Sequence, residues 1–135
     1  MTDDTTIRLG LCCIFRDQPI EFRNTPVKSI SRMSPNAPLA KLSHLCLANA
    51  EALEVSLQFC VDNGIGCFRV NSQILPLKTH AQCGYNVFDL PDGEEVVRRF
   101  KMCGEFAHQH DVRTCFHTDQ FVVLNSPRAD VVDRS

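Results

Sequence analysis

Two histidines stand where a chain of this pattern would gather a ligand. His117 closes the short apolar stretch Thr114, Cys115 and Phe116, and Asp119 and Gln120 follow before the apolar run 121–124. His80 ends the loop "NSQILPLKTH", in which Asn71, Ser72 and Gln73 directly follow another apolar stretch. Imidazole nitrogens bind zinc, manganese or iron. Two histidines do not make a firm metal site, because such sites want three or more protein ligands. The extra candidates are Asp119, His44, His108 and His110. His108 and His110 lie two apart at a helix end, so they point in different directions and read as residues favoured by the helix dipole. His44 reads as a structural or solvated helix residue. His117 and His80 stay open between a functional and a structural role.

Other chemistries find less support. There is no Gly-x-Ser-x-Gly elbow, and no cysteine has an obvious histidine partner. No Gly-x-Gly-x-x-Gly is present; "NGIGCF" precedes a strand and reads as a turn, not a phosphate cradle. The eight cysteines include no Cys-x-x-Cys pair, which argues against a zinc ribbon or a thioredoxin-type site. They read mostly as small buried hydrophobes. The adjacent Cys12 and Cys13 point to opposite faces of a strand.

The elements that must position these residues alternate. Residues 7–15 read as a strand, apolar enough to be covered on both faces. Residues 38–62 read as a helix whose apolar face carries Leu39, Leu42, Cys46, Leu53, Leu57 and Cys60. Pro38 suits its first turn, and Asn63-Gly64 suits its end. Residues 66–70 are a second strand. Residues 93–110 are a second helix, with Val96, Val97, Phe100, Cys103, Phe106 and Ala107 inward. Residues 113–117 are a third strand, and "RADVVDRS" begins a third helix. This βαβαβ(α) order predicts an α/β fold with parallel strands. In such folds ligands gather at the carboxyl ends of the strands, where both histidines fall. Three strands cannot close a barrel; they make a small open sheet or the first part of something larger.

Between the first strand and first helix lies a long loop, 16–38, read as unstructured. Residues 16–41 carry five basic side chains (Arg16, Arg23, Lys28, Arg32, Lys41) against two acidic ones (Asp17, Glu21). It reads either as a solvated loop or as a local cationic surface. The net charge of -2 means that any nucleic-acid contact comes from such a local surface. The composition, 44% hydrophobic and 22% charged, is that of a globular chain. No signal peptide or membrane span is visible, so a cytoplasmic location is expected.

The strings "IRLGLCCIF", "NGIGCFRVNSQILPL", "KTH" and "FHTDQFVVLNSPRADVVDRS" resemble the N-terminal part of the UV damage endonucleases, from about Ile7 to the last residue. The resemblance implies a TIM-type (β/α)8 barrel. It implies an enzyme of DNA excision repair that incises damaged double-stranded DNA 5′ of ultraviolet photoproducts by metal-assisted phosphodiester hydrolysis. The implied cofactor is a cluster of divalent metal ions, commonly manganese. By matching position, His80 and His117 correspond to metal ligands, and Gln120 and Phe121 to a pair that enters DNA and probes the lesion. Catalytic residues beyond the metal ligands are not assigned. Arg23, Lys28 and Arg32 are candidates for contacts to the DNA backbone. Neither a membrane nor a protein partner is implied, and nucleoid association on DNA is expected.

Departures accompany the resemblance. Thr118 stands where many relatives have proline, and Phe121 where some have tyrosine. A barrel of this kind needs about 250 residues, so the 135 residues are expected to form one partial domain, the first three β/α units, inactive alone. Its exposed apolar edge and inner face would then be an aggregation hazard. Two other readings are a damaged-DNA binding module without catalysis and another metal-dependent barrel enzyme, such as an apurinic-site endonuclease or a sugar isomerase.

Overall fold

The structure, a computed structural model, describes residues 7–116 and 124–133. Its elements are β1 (Gly10–Cys12), α1 (Val27–Ser31), α2 (Ala37–Asp62), β2 (Cys67–Val70), a 3₁₀ turn (Val87–Asp89), α3 (Gly93–Gln109), β3 (Arg113–Phe116) and α4 (Ala129–Val132). The strands form one parallel sheet in the order β1-β2-β3. The alternation read from the sequence is therefore observed. The first strand is shorter than the 7–15 expected: only Gly10, Leu11 and Cys12 pair with β2.

Both helices end by the same device. After α2, Gly64 takes φ +66, the Ile65 amide donates to the Cys60 carbonyl at 2.8 Å, and Gly64 donates to Val61. This is the glycine-terminated cap. Asn63 stays at φ -110 and instead donates from its side chain to the Phe59 carbonyl. After α3, Asp111 takes the left-handed conformation at φ 54, and Val112 donates to Ala107 at 2.8 Å. The Arg8 guanidinium grips both carboxylate oxygens of Asp111 at 2.9 Å and its carbonyl at 2.5 Å. An aspartate thus holds a position that glycine usually takes.

The core lies between the sheet and the two long helices. Phe68 and Val70 of β2 point into it, with Leu53, Leu57 and Cys60 from α2 and Cys103 and Ala107 from α3. Burying each large apolar side chain stabilises the fold by roughly 1.5–3 kcal/mol. A second cluster, Leu42, Cys46, Leu90, Val96 and Ile30, joins the helices near the carboxyl ends of the strands. There the buried Ser43 hydroxyl donates to Asp92 at 2.9 Å and accepts the Asp92 amide at 3.1 Å, which ties α2 to the start of α3. The predicted apolar faces hold except at their margins: Leu39 and Val97 are exposed.

The other face of the sheet departs from expectation. Among the described residues no element covers it. Gly10, Cys67 and Arg113 form one row there, and Cys12, Arg69 and Cys115 the next. In the first strand Gly10 and Cys12 are exposed, and so are Ile7, Leu9 and Ile14 beside it, so the first strand is not covered on both faces. Cys46, Cys60 and Cys103 are buried, but Cys12 and Cys115 are exposed, because they belong to that uncovered face. Cys13 packs against the core, so the two adjacent thiols do point opposite ways. No helix of the described residues is long and apolar enough to cross a membrane.

Candidate functional site at the carboxyl ends of the strands

The loop after β1 is not the free tether its composition suggested. Ile20, Thr25 and Ile30 are buried, and Phe22 packs on Phe68 with ring centroids 6.4 Å apart. One turn and a half of helix, α1, interrupts it. Alternation of this kind puts apolar side chains inward and leaves Arg16, Arg23, Lys28 and Arg32 exposed. None of these four makes an ion pair among the described residues. The cationic surface read from the sequence is therefore held in place from below.

Asn49 of α2 does most of that holding. It is fully buried. Its Oδ1 accepts the Arg23 amide at 2.7 Å, and its Nδ2 donates to the carbonyls of Arg23 and Ile74, both at 2.9 Å. Sequence reasoning passed over it. The signal was there: Asn49 lies three after Cys46 and four before Leu53, an amide on a stripe of apolar residues and small serines. Buried amides need partners, and a loop's backbone is the nearest supply. Beside it, Asn24 donates from its side chain to the Gln73 side-chain oxygen, and Thr25 donates its amide to Asn24 Oδ1. The Thr25 hydroxyl is buried without a hydrogen-bond partner among the described residues.

The loop after β2 ties itself together. Asn71 accepts the Gln73 amide at 2.9 Å. Leu77 sits at φ 59, a conformation that costs a branched side chain on the order of 1 kcal/mol or more. That twist lets Leu77 accept the His80 amide at 3.0 Å. Gly84 then donates to the His80 carbonyl at 2.8 Å, and a Cβ on it would come within 2.7 Å of that oxygen and 2.9 Å of the Lys78 carbonyl. Further on, Tyr85 meets Cys46 at 3.3 Å, and burial raises the tyrosine's pKa above its ordinary value.

His80 is half-buried at the centre of this knot. Its Nδ1 accepts the amides of Gln82 at 3.2 Å and Cys83 at 3.3 Å. Backbone N–H groups only donate, so Nδ1 carries no proton here and a neutral ring holds its proton on Nε2. A metal on Nε2 would need the proton on Nδ1 instead. Among the described residues no three His, Cys, Asp or Glu side chains stand close enough to hold a metal ion. The described residues do not by themselves fit a metal, and His80 would have to turn or release the two amides to join one.

His117, Asp119, Gln120 and Phe121 lie outside the described residues. His110 caps α3 and its ring lies 4.3 Å from that of Phe106, and His108 is exposed in the last turn, so neither joins the rim. His44 is exposed on α2 and lines a cleft with Glu21 and Arg23 of the loop after β1.

The arrangement defines a parallel α/β chain whose polar and cationic loops crowd the carboxyl ends of its strands. The family model described as UV-endonuclease UvdE matches residues 7–135, and the chain belongs to that family. It is 30% identical over 128 residues to the UV DNA damage endonuclease of Nostoc sp., and 33% identical over 99 residues to that of Halalkalibacterium halodurans. The first alignment covers 94% of this chain and 38% of the relative, the second 73% and 30%. The UV-damage endonuclease of Neurospora crassa is 31% identical over 125 residues, 88% of this chain and 17% of that protein. The chain thus spans well under half the length of these relatives. Its fold matches the solved structure titled "Crystal Structure of SacUVDE" with a TM-score of 0.73 at 22% identity, over 96% of this chain and 41% of that one.

Proposed function

We propose that the chain forms the first three β/α units of a TIM-type barrel and the DNA-facing start of an endonuclease acting 5′ of ultraviolet photoproducts. The observation that carries this reading is the family match over residues 7–135. The rim geometry supports it. An anchored loop presents Arg23, Lys28 and Arg32 without carboxylate partners among the described residues, and guanidinium and ammonium groups so presented suit phosphate oxygens. Gln120 and Phe121 are assigned the probing of the lesion, since a planar side chain fills the gap left by unstacked bases. His80 and His117 are assigned to divalent metals, of which manganese is the first to test. A metal held there would supply a more acidic water and positive charge at the phosphate. The residues of this chain bind and orient the DNA. Its location, on this reading, is cytoplasmic and on the nucleoid.

The test uses the 135-residue chain, a duplex bearing one ultraviolet photoproduct and the intact duplex. Preference for the damaged duplex is expected, lost in Gln120→Ala with Phe121→Ala, with a salt dependence set by the basic loop. Equal affinity for both duplexes would sink the lesion-probing assignment. Nicking is read with and without manganese in the chain and in a full-length relative carrying the residue that aligns with His117 replaced by alanine. Undiminished nicking by that variant would remove His117 from the site. The anchored basic loop also favours one second reading, a damaged-DNA binding module, which metal-independent discrimination without nicking would support. No observation on this chain favours an apurinic-site endonuclease or a sugar isomerase.

A further inference from the structure

We propose that Asn49 is a positioning residue for DNA contact: it locks the loop of Arg23 to the loop of Gln73, so that both meet the phosphate backbone as one surface. The inference rests on the DNA-binding reading above and adds to it the residue on which the binding surface depends.

A side-chain amide offers two donors and a two-lone-pair acceptor. Asn49 spends both donors and its oxygen on main-chain atoms from two different loops. It satisfies both the amide and the carbonyl of Arg23, which fixes that residue's backbone from both sides. The second Nδ2 hydrogen goes to Ile74, one residue after Gln73. On the surface directly above, the side chains of Asn24 and Gln73 make a second tie between the same loops. An apolar residue would serve α2's packing equally well, because the stripe on either side is Cys46, Ala50 and Leu53. What the amide adds to that packing is hydrogen bonding to the main chains of two loops, which holds them in register. What is held is an exposed arginine without an ion pair among the described residues. Holding such a side chain's backbone before DNA arrives lowers the ordering cost of binding. Free to wander, the same arginine would contribute less.

The experiment is a double-mutant cycle on the 135-residue chain, read as affinity for a photoproduct-bearing duplex across a salt series. The variants are Arg23→Gln, Asn49→Ala and the pair. Arg23→Gln is expected to weaken binding several-fold and to lower the salt slope by about one. In the Asn49→Ala background the same change is expected to cost less than about twofold, because the arginine is no longer placed. Asn49→Leu runs the same cycle if the alanine variant does not fold, since it keeps close to the side chain's volume while removing its hydrogen bonds to both loops. Amide exchange at Arg23 is read in parallel: slow in the unaltered chain and fast in Asn49→Ala.

A merely structural asparagine would lower stability yet leave the full effect of Arg23→Gln in place. That additive result, or an Arg23 amide whose exchange Asn49→Ala leaves unchanged, overturns the proposal while DNA binding stands. If the unaltered chain does not bind DNA, or Arg23→Gln changes nothing on its own, the binding assignment fails first and the proposal with it.

Discussion

The two rim loops reach the same place by opposite means. The loop after β1 makes short local turns, such as Ile20 to Gln18 and Thr25 to Asn24, but its place is set by Ile20, Phe22 and Ile30 beneath it and by the amide of Asn49. The loop after β2 is held mostly from within, by the Asn71 turn, the left-handed Leu77, the paired amides on His80 and the tight approach of Gly84. One loop is as ordered as the helix it leans on. The other carries its order in its own backbone. A site built from both therefore has two separable points of failure, and mutations should tell them apart.

The largest effect should come from the first means. Asn49→Ala leaves the Arg23 amide and carbonyl and the Ile74 carbonyl without that partner and opens a small cavity. The expected loss is about 3 kcal/mol of folding stability, measured by urea unfolding. The change should be felt in the loop after β1 and at Ile74, but hardly at His80. A loss under about 1 kcal/mol would mean that water or a neighbour replaces the amide with ease, and the contrast between the loops would dissolve.

Gly84→Ala attacks the second means. The added methyl meets the carbonyls of His80 and Lys78, which are backbone atoms and cannot swing aside. The expected cost is about 2 kcal/mol, with chemical-shift changes confined to residues 77–86. If the shifts spread to residues 19–25 instead, the loops are coupled more tightly than their separate hydrogen bonds imply.

These two residues also show what could be read from the chain before its structure. The two long helices and the alternation of parallel strands with them were legible because apolar periodicity is repeated over many residues, so one exception does not blur it. Leu39 and Val97 were misplaced because each sits at the margin of its stripe, where periodicity cannot separate half-covered from covered. The first strand's burial was misjudged because an apolar run states a preference for cover and not the presence of a covering element. The order of the first loop was missed for a different reason. It depends on a contact between Asn49 and Arg23, 26 residues apart, and no local pattern encodes it. Leu77 gave no hint either, since leucine rarely takes a left-handed backbone. His80 was singled out by type and position, but the direction of its ring nitrogens is set by amides two and three residues later.

The core beneath both loops supplies a third, smaller handle, through its thiols. Burial, with Glu54 adding to it, pushes Cys103 up to about 11 from 9.0, and burial also raises Cys46 and Cys60. Below pH 9 the thiol is protonated folded or unfolded, and its contribution is fully present. Between about 9 and 11 the unfolded chain loses its proton first, so the native state binds more protons and stability falls as pH rises. A decline on the order of 1 kcal/mol from this group is expected after allowance for solvent screening. Comparing urea midpoints at pH 8 and pH 10.5 in the unaltered chain and in Cys103→Ala isolates it, since other titrations cancel. An equal decline in both would show that Cys103 contributes nothing to the slope. Because both loops rest on this core, they should loosen together, unlike in the two substitutions above.

The smallest effect should have the opposite sign. Thr25 lies beside the Asn24–Gln73 tie, 5% exposed, and its hydroxyl has no hydrogen-bond partner among the described residues. A buried hydroxyl without a partner forfeits its hydration, and a methyl of similar size does not. Thr25→Val keeps the branching at Cβ and its fit to an extended backbone. It should therefore be neutral or stabilise the chain by up to about 1 kcal/mol, and it should leave the Asn49 hydrogen bonds intact. A clear loss of stability would mean that the hydroxyl is bonded in solution, and the first loop would then be held by one more polar contact than its apolar anchors and Asn49 provide. Weaker binding of damaged duplex with stability unchanged would place the hydroxyl at the DNA, and the loop after β1 would then contribute a neutral contact alongside its basic ones.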